Sequence, residues 1–185
     1  MAPSKAVQIM DEAAVRRALA RIAREILERN GGPDGLVLVG IRRRGDLLAH
    51  LLQEEIREAD GHEIPLGALD ITLYRDDLAT VGPRPLVGET QLPPGGIDGV
   101  TVVLVDDVLY TGRTVRAALN ELADYGRPAR IILCVLADRG GREIPVQADI
   151  VGRHVETLGN QRVEVRVPPL DPVLAVELED AGGEG

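Results

Sequence analysis

The 185-residue chain has no tryptophan and no phenylalanine, and three tyrosines bring its aromatic content to only 2%. A core must therefore be assembled from Leu, Ile, Val and Ala, and a platform that stacks successive bases on several aromatic rings is excluded. A single cysteine, Cys134, rules out an intrachain disulfide. It sits in the apolar run IILCVLA, where it reads as a small buried hydrophobe rather than a nucleophile or ligand. No apolar stretch approaches the ~18 residues of a membrane span, and the start MAPSKAVQIMDE lacks the apolar centre of a secretory signal. The chain therefore reads as cytoplasmic, without a membrane partner. A net charge of −9 excludes a generally polyanion-binding surface and leaves room only for a local basic patch. GxGxxG and GxxxxGK[ST] are both missing, so the usual dinucleotide and Walker phosphate sites lack their mechanics. His50, His62 and His154 share no metal-ligand spacing and read as surface or helix residues.

What is present is one domain's worth of chain, 44% hydrophobic, organised around VVLVDDVLYTGRT, Val102 to Thr114. Four apolar residues predict a buried parallel strand ending in the acid pair Asp106 and Asp107. A turn through Tyr110, Thr111, Gly112, Arg113 and Thr114 then opens the amphipathic pattern TVRAALNELADYG. In open α/β sheets ligands sit outside the carboxyl ends of strands, and a helix N-terminus offers free amides to an anion. Two carboxylates beside an anion-attracting loop suit a ligand with both a vicinal diol and a phosphate, such as a ribose 5-phosphate.

Other segments alternate in the same way. Val15, Leu19, Ile22 and Ile26 mark one face of a helix over Asp11 to Arg29, stopped by Asn30, Gly31, Gly32 and Pro33. Its Arg17, Arg21 and Arg24 share another face, which reads as solvated and balanced by Glu25 and Glu28, with a polyanion contact as the alternative. GLVLVG predicts a second buried strand, followed by the loop IRRRG and a helix from about Asp46 to Ala59. Arg42, Arg43 and Arg44 thus stand at a strand's carboxyl end, between Gly40 and Gly45, which beside the acid pair reads as a second phosphate site, with a merely exposed basic loop as the alternative. Ile64 to Tyr74 predicts an extended segment. Residues 75–99 are rich in Gly, Pro and charge and predict a lid, with a plain disordered insertion as the alternative. Further strands are expected over Ala129–Ala137, Ala148–Gly152, Gln161–Val167 and Val173–Leu178, with a frayed tail over 179–185. The alternation predicts an α/β fold with a doubly wound parallel sheet.

The motif VVLVDDVLYTGRT resembles the signature with which type I phosphoribosyltransferases bind phosphoribosyl pyrophosphate. With RRALARIA, LVGIRRRG, DITLYRDDL and VLADRGGREIP it resembles the PyrR family, bifunctional pyrimidine-operon attenuators and uracil phosphoribosyltransferases, over roughly residues 7–167. The resemblance implies the type I phosphoribosyltransferase fold: a central, mostly parallel sheet flanked by helices, with a flexible lid loop and a small hood. It implies that Asp106 and Asp107 hold the ribose hydroxyls, while Val108, Leu109, Tyr110, Thr111, Gly112, Arg113 and Thr114 form the 5-phosphate loop. Arg43, Arg44 and Gly45 would bind pyrophosphate, with Arg44 catalytic alongside the acid pair. Arg75, with Asp76 and Asp77, would begin the lid, and Arg139 and Val163 would belong to the uracil pocket. Mg2+ is the implied cofactor, bound mainly through the substrate, with no protein ligand assigned. The implied reaction converts uracil and phosphoribosyl pyrophosphate to UMP and pyrophosphate.

The second implied activity is regulatory: binding of the leader mRNA of pyrimidine genes under control of UMP and UTP. Arg17, Arg21, Arg24 and Arg142 are its candidate contacts. Family members commonly read RALTRIAHE and DRGHRELPIRAD, whereas this chain has RALARIARE and DRGGREIPVQAD. Ala20, Arg24, Gly141 and Gln147 thus replace a hydroxyl, two imidazoles and a guanidinium that specific RNA recognition would use. Arg43 likewise stands where a Thr is common. A purine-type transferase, or an RNA regulator with little enzymatic activity, are the alternatives, and the resemblance implies a homodimer or higher homo-oligomer.

Overall fold

The computed structural model describes residues 6–72 and 88–180. The first helix, α1 (Glu12–Asn30), begins where the Asp11 side chain accepts a 2.8 Å hydrogen bond from the Ala14 amide and ends at Gly31, whose φ of 75° suits a residue without Cβ. Its buried face is the expected one, with Ala18 and Ala23 filling between Val15, Leu19, Ile22 and Ile26. Then follow β2 (Leu36–Ile41), α2 (Gly45–Asp60), β3 (Leu66–Leu69), β4 (Thr101–Leu109), α3 (Arg113–Tyr125), β5 (Arg130–Asp138) and β6 (Ile150–His154). These five strands form one parallel sheet in the order β3-β2-β4-β5-β6.

Alternation along each strand decides which helix it meets. Leu36 and Leu38 of β2, Val103 and Val105 of β4, and Ile132, Cys134 and Leu136 of β5 pack in one cluster with α1 and α2. Val37, Val39, Val102, Leu104, Leu133 and Val135 point the other way and pack with Val115, Ala118 and Leu122 of α3. Both faces are covered, which is why the strands read as continuous apolar runs rather than alternating ones. Cys134 is one of these core side chains, and burial pushes its thiol up to about 12, as expected of an inert residue.

The hood is a separate antiparallel sheet. It is built from β1 (Val7–Met10), β7 (Gln161–Arg166) and β8 (Ala175–Asp180) in the order β1-β8-β7. Strand β1 is not expected from the sequence: its four residues are too short for a periodicity and are held by pairing with a strand at the far end of the chain. Of the tail expected to fray over 179–185, the two described residues are paired, Glu179 opposite Arg162 and Asp180 opposite Gln161. Strand β4 is also longer than expected, running through the acid pair to Leu109. Of the segment expected to form a lid, residues 88–99 are anchored by a bridge between Gln91 and Ala68 and by buried Ile97. The remainder of that segment, 75–87, and residues 181–185 lie outside the described residues.

Candidate functional site

Helix α2 leaves β2 toward one face of the sheet, and α3 leaves the adjacent β4 toward the other. Neighbouring strands whose connections depart to opposite faces leave a crevice at their carboxyl ends, and ligands of open α/β sheets bind there. The two loops at this crevice are residues 42–44 and 110–112, the segments marked in the sequence by their arginines and by the motif TGRT.

Between the loops stands the acid pair. Asp106 is buried, 4% exposed, and Asp107 is half-buried. Each carboxylate accepts the amide of the next residue: Asp106 Oδ1 from Asp107 N at 2.9 Å, and Asp107 Oδ1 from Val108 N at 2.8 Å. Burial first, and then the charge of Asp107, pushes Asp106 well above the ordinary carboxylate range. Asp107 is also raised by burial, against the pull of its hydrogen bonds and of the Arg44 guanidinium. Two carboxylates side by side, one buried and one half-buried, favour a partner that donates hydrogen bonds or carries positive charge, which is what a diol or a cation supplies.

The helix starts differ in a telling way. Helix α1 is capped by its own Asp11, but neither α2 nor α3 has a side-chain cap. At α2 the first amide, of Gly45, turns back to Arg43 O at 2.8 Å, and no cap residue's side chain covers the amides that follow at either helix, so each start is a place for an anion. Helix α3 follows Gly112 at φ 91°, where an added Cβ would collide with Val146 Cγ2. Thr111 Oγ1 accepts the Arg113 amide at 3.3 Å. Helix α2 follows Arg44, the sole non-glycine residue with positive φ among the described residues (φ 69°), and the Arg42–Arg43 peptide is cis. A Cβ on Gly45 would lie 2.6 Å from Val105 O, so glycine lets this loop lie directly against β4 beside Asp106. Arg43 is exposed at the loop tip, while Arg42 pairs with Asp46 at 3.5 Å.

The segment after β5 closes over the 110–112 loop. Thr111 O accepts the amides of Glu143 and Ile144 at 3.0 Å each, and Arg113 pairs with Glu143 at 2.9 Å. Arg139 lies flat on the Tyr110 ring, 3.8 Å from its centroid, and donates to Thr157 Oγ1 at 3.3 Å. It borders a cleft of about 730 Å³ lined also by Asp138, Gln147, His154 and Leu158. Val163 is buried in β7, opposite Leu178, and its side chain belongs to the core under the hood. Gly141 lies against Tyr110, where an added Cβ would stand 2.6 Å from the ring, so a histidine here would push the ring aside.

The four candidate RNA arginines separate into two kinds. Arg142 is committed internally, donating to Asp138 Oδ2 at 2.7 Å, Tyr110 O at 2.9 Å and Val146 O at 3.0 Å. Arg21 donates to the carbonyls of Val151 and Gly152. Arg17 and Arg24 are exposed, and neither is hydrogen-bonded or ion-paired among the described residues. Arg75 lies outside the described residues. Asp138, the first residue of the motif DRGGRE, anchors Arg142, whereas Asp171, a hood residue that accepts from Arg44, gave no sequence signal.

Comparison with known proteins decides the family. A sequence model of the phosphoribosyl transferase domain matches residues 6–171. The chain is 54% identical over 176 residues to the bifunctional protein PyrR of Thermus aquaticus, covering 95% of this chain and 97% of that protein. It belongs to the PyrR family of phosphoribosyltransferases. To the PyrR of Listeria monocytogenes it is 55% identical over 170 residues, covering 90% and 92% of the two chains. The hypoxanthine phosphoribosyltransferase of Trypanosoma cruzi in complex with the product IMP superposes with a TM-score of 0.70 at 16% identity, covering 97% of this chain and 96% of that one. The same enzyme as a ternary substrates complex gives 0.71 at 20%, covering 93% and 94%. At such identities these structures speak for the fold alone. The fold of this PyrR-family chain is thus the type I phosphoribosyltransferase fold.

Proposed function

We propose that the chain transfers the ribose 5-phosphate group of phosphoribosyl pyrophosphate to uracil, giving UMP and pyrophosphate. The observation that carries this reading is the acid pair Asp106–Asp107 held at one crevice between the starts of α2 and α3. Thr111, Gly112, Arg113 and Thr114 bind the 5-phosphate at α3, and Asp106 and Asp107 accept hydrogen bonds from the ribose hydroxyls. Arg43, Arg44 and the α2 amides take the pyrophosphate, and Arg139 covers the base. As the bond from the anomeric carbon to pyrophosphate breaks, positive charge grows on the sugar and negative charge on the leaving group. The carboxylates tolerate the first and the arginines stabilise the second, an oriented electrostatic contribution. Uracil N1 bonds to the anomeric carbon as the bond to pyrophosphate breaks, and the N1 proton is released to water.

Among the described residues no three His, Cys, Asp or Glu side chains gather as a metal cage. A cation held mainly by substrate oxygens nevertheless fits this chain, because the buried, mutually repelling Asp106 and Asp107 lie where ribose hydroxyls would bring it. Mg2+ bound there would neutralise charge on the departing pyrophosphate. The same reading gives the protein a second role as a uridine-nucleotide-dependent binder of pyrimidine leader mRNA. It also makes the protein a cytoplasmic homodimer or higher oligomer. Among the described residues no helix is long and apolar enough to cross a membrane.

The test is direct. Incubation with uracil, phosphoribosyl pyrophosphate and Mg2+ is expected to yield UMP, and no UMP under conditions where a control transferase works would refute the enzymatic reading. Offering uracil, hypoxanthine and guanine together separates it from the purine alternative, with uracil expected to be consumed first.

A further inference from the structure

The hood reaches back into the crevice through the segment between β7 and β8. Asp171, 8% exposed, meets the guanidinium of Arg44 edge-on: Oδ2 accepts from Nε at 3.0 Å and Oδ1 from Nη2 at 3.2 Å. Oδ2 also accepts the Val167 amide at 2.9 Å, and Arg166 Nη1 lies 3.7 Å from Oδ1. The aspartate is therefore fixed by its own backbone turn before it touches Arg44. Arginine has five donors in a rigid fork. With Nε and one Nη2 hydrogen committed to Asp171, the Nη1 edge and the second Nη2 hydrogen remain for another anion.

Nothing in the local sequence explains why Arg44 stands in the left-handed region, which favours glycine. The tie to Asp171 spans 127 positions and supplies a reason: it fixes the side chain of the residue that immediately precedes α2. The hydrogen bond to Arg44 is also the largest influence holding Asp171 below the ordinary carboxylate range, so the pair is charged on both sides.

We infer that Asp171 is a positioning residue for the leaving group: it clamps the inner edge of Arg44 so that the outer edge is presented to pyrophosphate. This rests on the assignment of residues 43–45 to pyrophosphate. The clamp couples the hood to the transferase sheet, so the hood contributes to donor binding without touching the donor.

Asp171→Asn tests it. The amide oxygen can keep the Val167 bond and face Nε, while the amide nitrogen replaces Oδ1 and sets a donor against Nη2. The KM for phosphoribosyl pyrophosphate and the inhibition constant of pyrophosphate are expected to rise together by about tenfold, the size of one charge-assisted hydrogen bond. The KM for uracil should stay within about twofold, a split that general loosening of the fold would not produce. In an Arg44→Lys background, Asp171→Asn is expected to add little, because its route of action is already gone. An unchanged donor KM in folded Asp171→Asn, or an equal further loss in the Arg44→Lys background, would overturn the inference. Should the Asn variant fail to fold, Asp171→Ser gives the same readout with the same two outcomes. A parent protein that makes no UMP would instead refute the reading on which the inference rests.

Discussion

A buried carboxylate that the fold does not neutralise is a cost retained for ligand binding, and Asp106 is the residue where that cost can be measured. Its carboxyl is held well above the ordinary range by burial and by Asp107. The folded protein therefore binds that proton more tightly than the unfolded chain does. Stability is then greatest below the unfolded value, about 4, and falls as pH rises through the folded one. Asp107, raised by burial, contributes in the same direction. Asp106→Asn keeps an oxygen for the Asp107 amide and removes the charge. It is expected to melt several degrees above the parent at pH 8, with roughly 2–4 °C for each kcal/mol in a chain of this size, and to match the parent closely at pH 4. UMP synthesis should fall by about a hundredfold, the size of a lost electrostatic contact in a transition state. Thermal melts at the two pH values with a turnover assay check both; a variant that melts lower than the parent at pH 8 would contradict the assigned burial cost.

At the scale of elements, the α2 start depends on how closely its loop lies against β4. Gly45→Ala would place a methyl group 2.6 Å from Val105 O and 3.2 Å from the Asp106 Cα, both backbone atoms that cannot rotate away. The loop must move outward, at a cost of about 1–3 kcal/mol. The expected result is a lower melting temperature together with a raised KM for phosphoribosyl pyrophosphate, because the same displacement carries Arg44 away from its place. Parent-like values of both would show that the contact is not needed. Elements of this kind were legible wherever one residue's neighbours in sequence are also its neighbours in space. The periodicity of Val15, Leu19, Ile22 and Ile26 and the apolar run of β4 are set by the nearest layer, and TGRT marks its own helix start. In the hood, β7 and β8 were legible as strands, but β1 and the ties that join the hood to the rest of the chain were not. Strand β1 is defined only by pairing with β8, and the tie between Arg44 and Asp171 joins residues that no local pattern connects. The roles of Arg21 and Arg142 were hidden for the same reason, since an arginine on a helix face or in a loop looks alike whether it meets solvent, RNA or a carbonyl of its own chain.

For the whole molecule, the tension is between an acidic protein of net charge −9 and the RNA ligand proposed for it. A polyanion would have to meet a restricted basic face, and α1 offers one in Arg17 and Arg24, which are exposed and have no hydrogen bond or ion pair among the described residues. Arg21 between them is tied to Val151 and Gly152 carbonyls, and Arg142 is held inside its loop, so these two contribute positive potential or stability rather than freely placed donors. Assembly into a dimer or larger oligomer would repeat the α1 pair by symmetry and enlarge the face without changing the overall charge density. Titration of the leader RNA of the protein's own pyrimidine genes is therefore expected to show binding that strengthens with UMP and weakens steeply with salt. Substituting Arg17→Gln and Arg24→Gln together should reduce the slope of log K against log salt by about 1.4 for each set of contacts to single-stranded RNA, since each lost phosphate contact removes about 0.7. Arg142→Gln should behave differently, lowering stability through the loss of the Asp138, Tyr110 and Val146 contacts. A salt slope unmoved by the α1 double substitution would exclude this face, and binding that ignores both UMP and RNA sequence would exclude the regulatory role, leaving the crevice at Asp106 and Asp107 as the molecule's one working site.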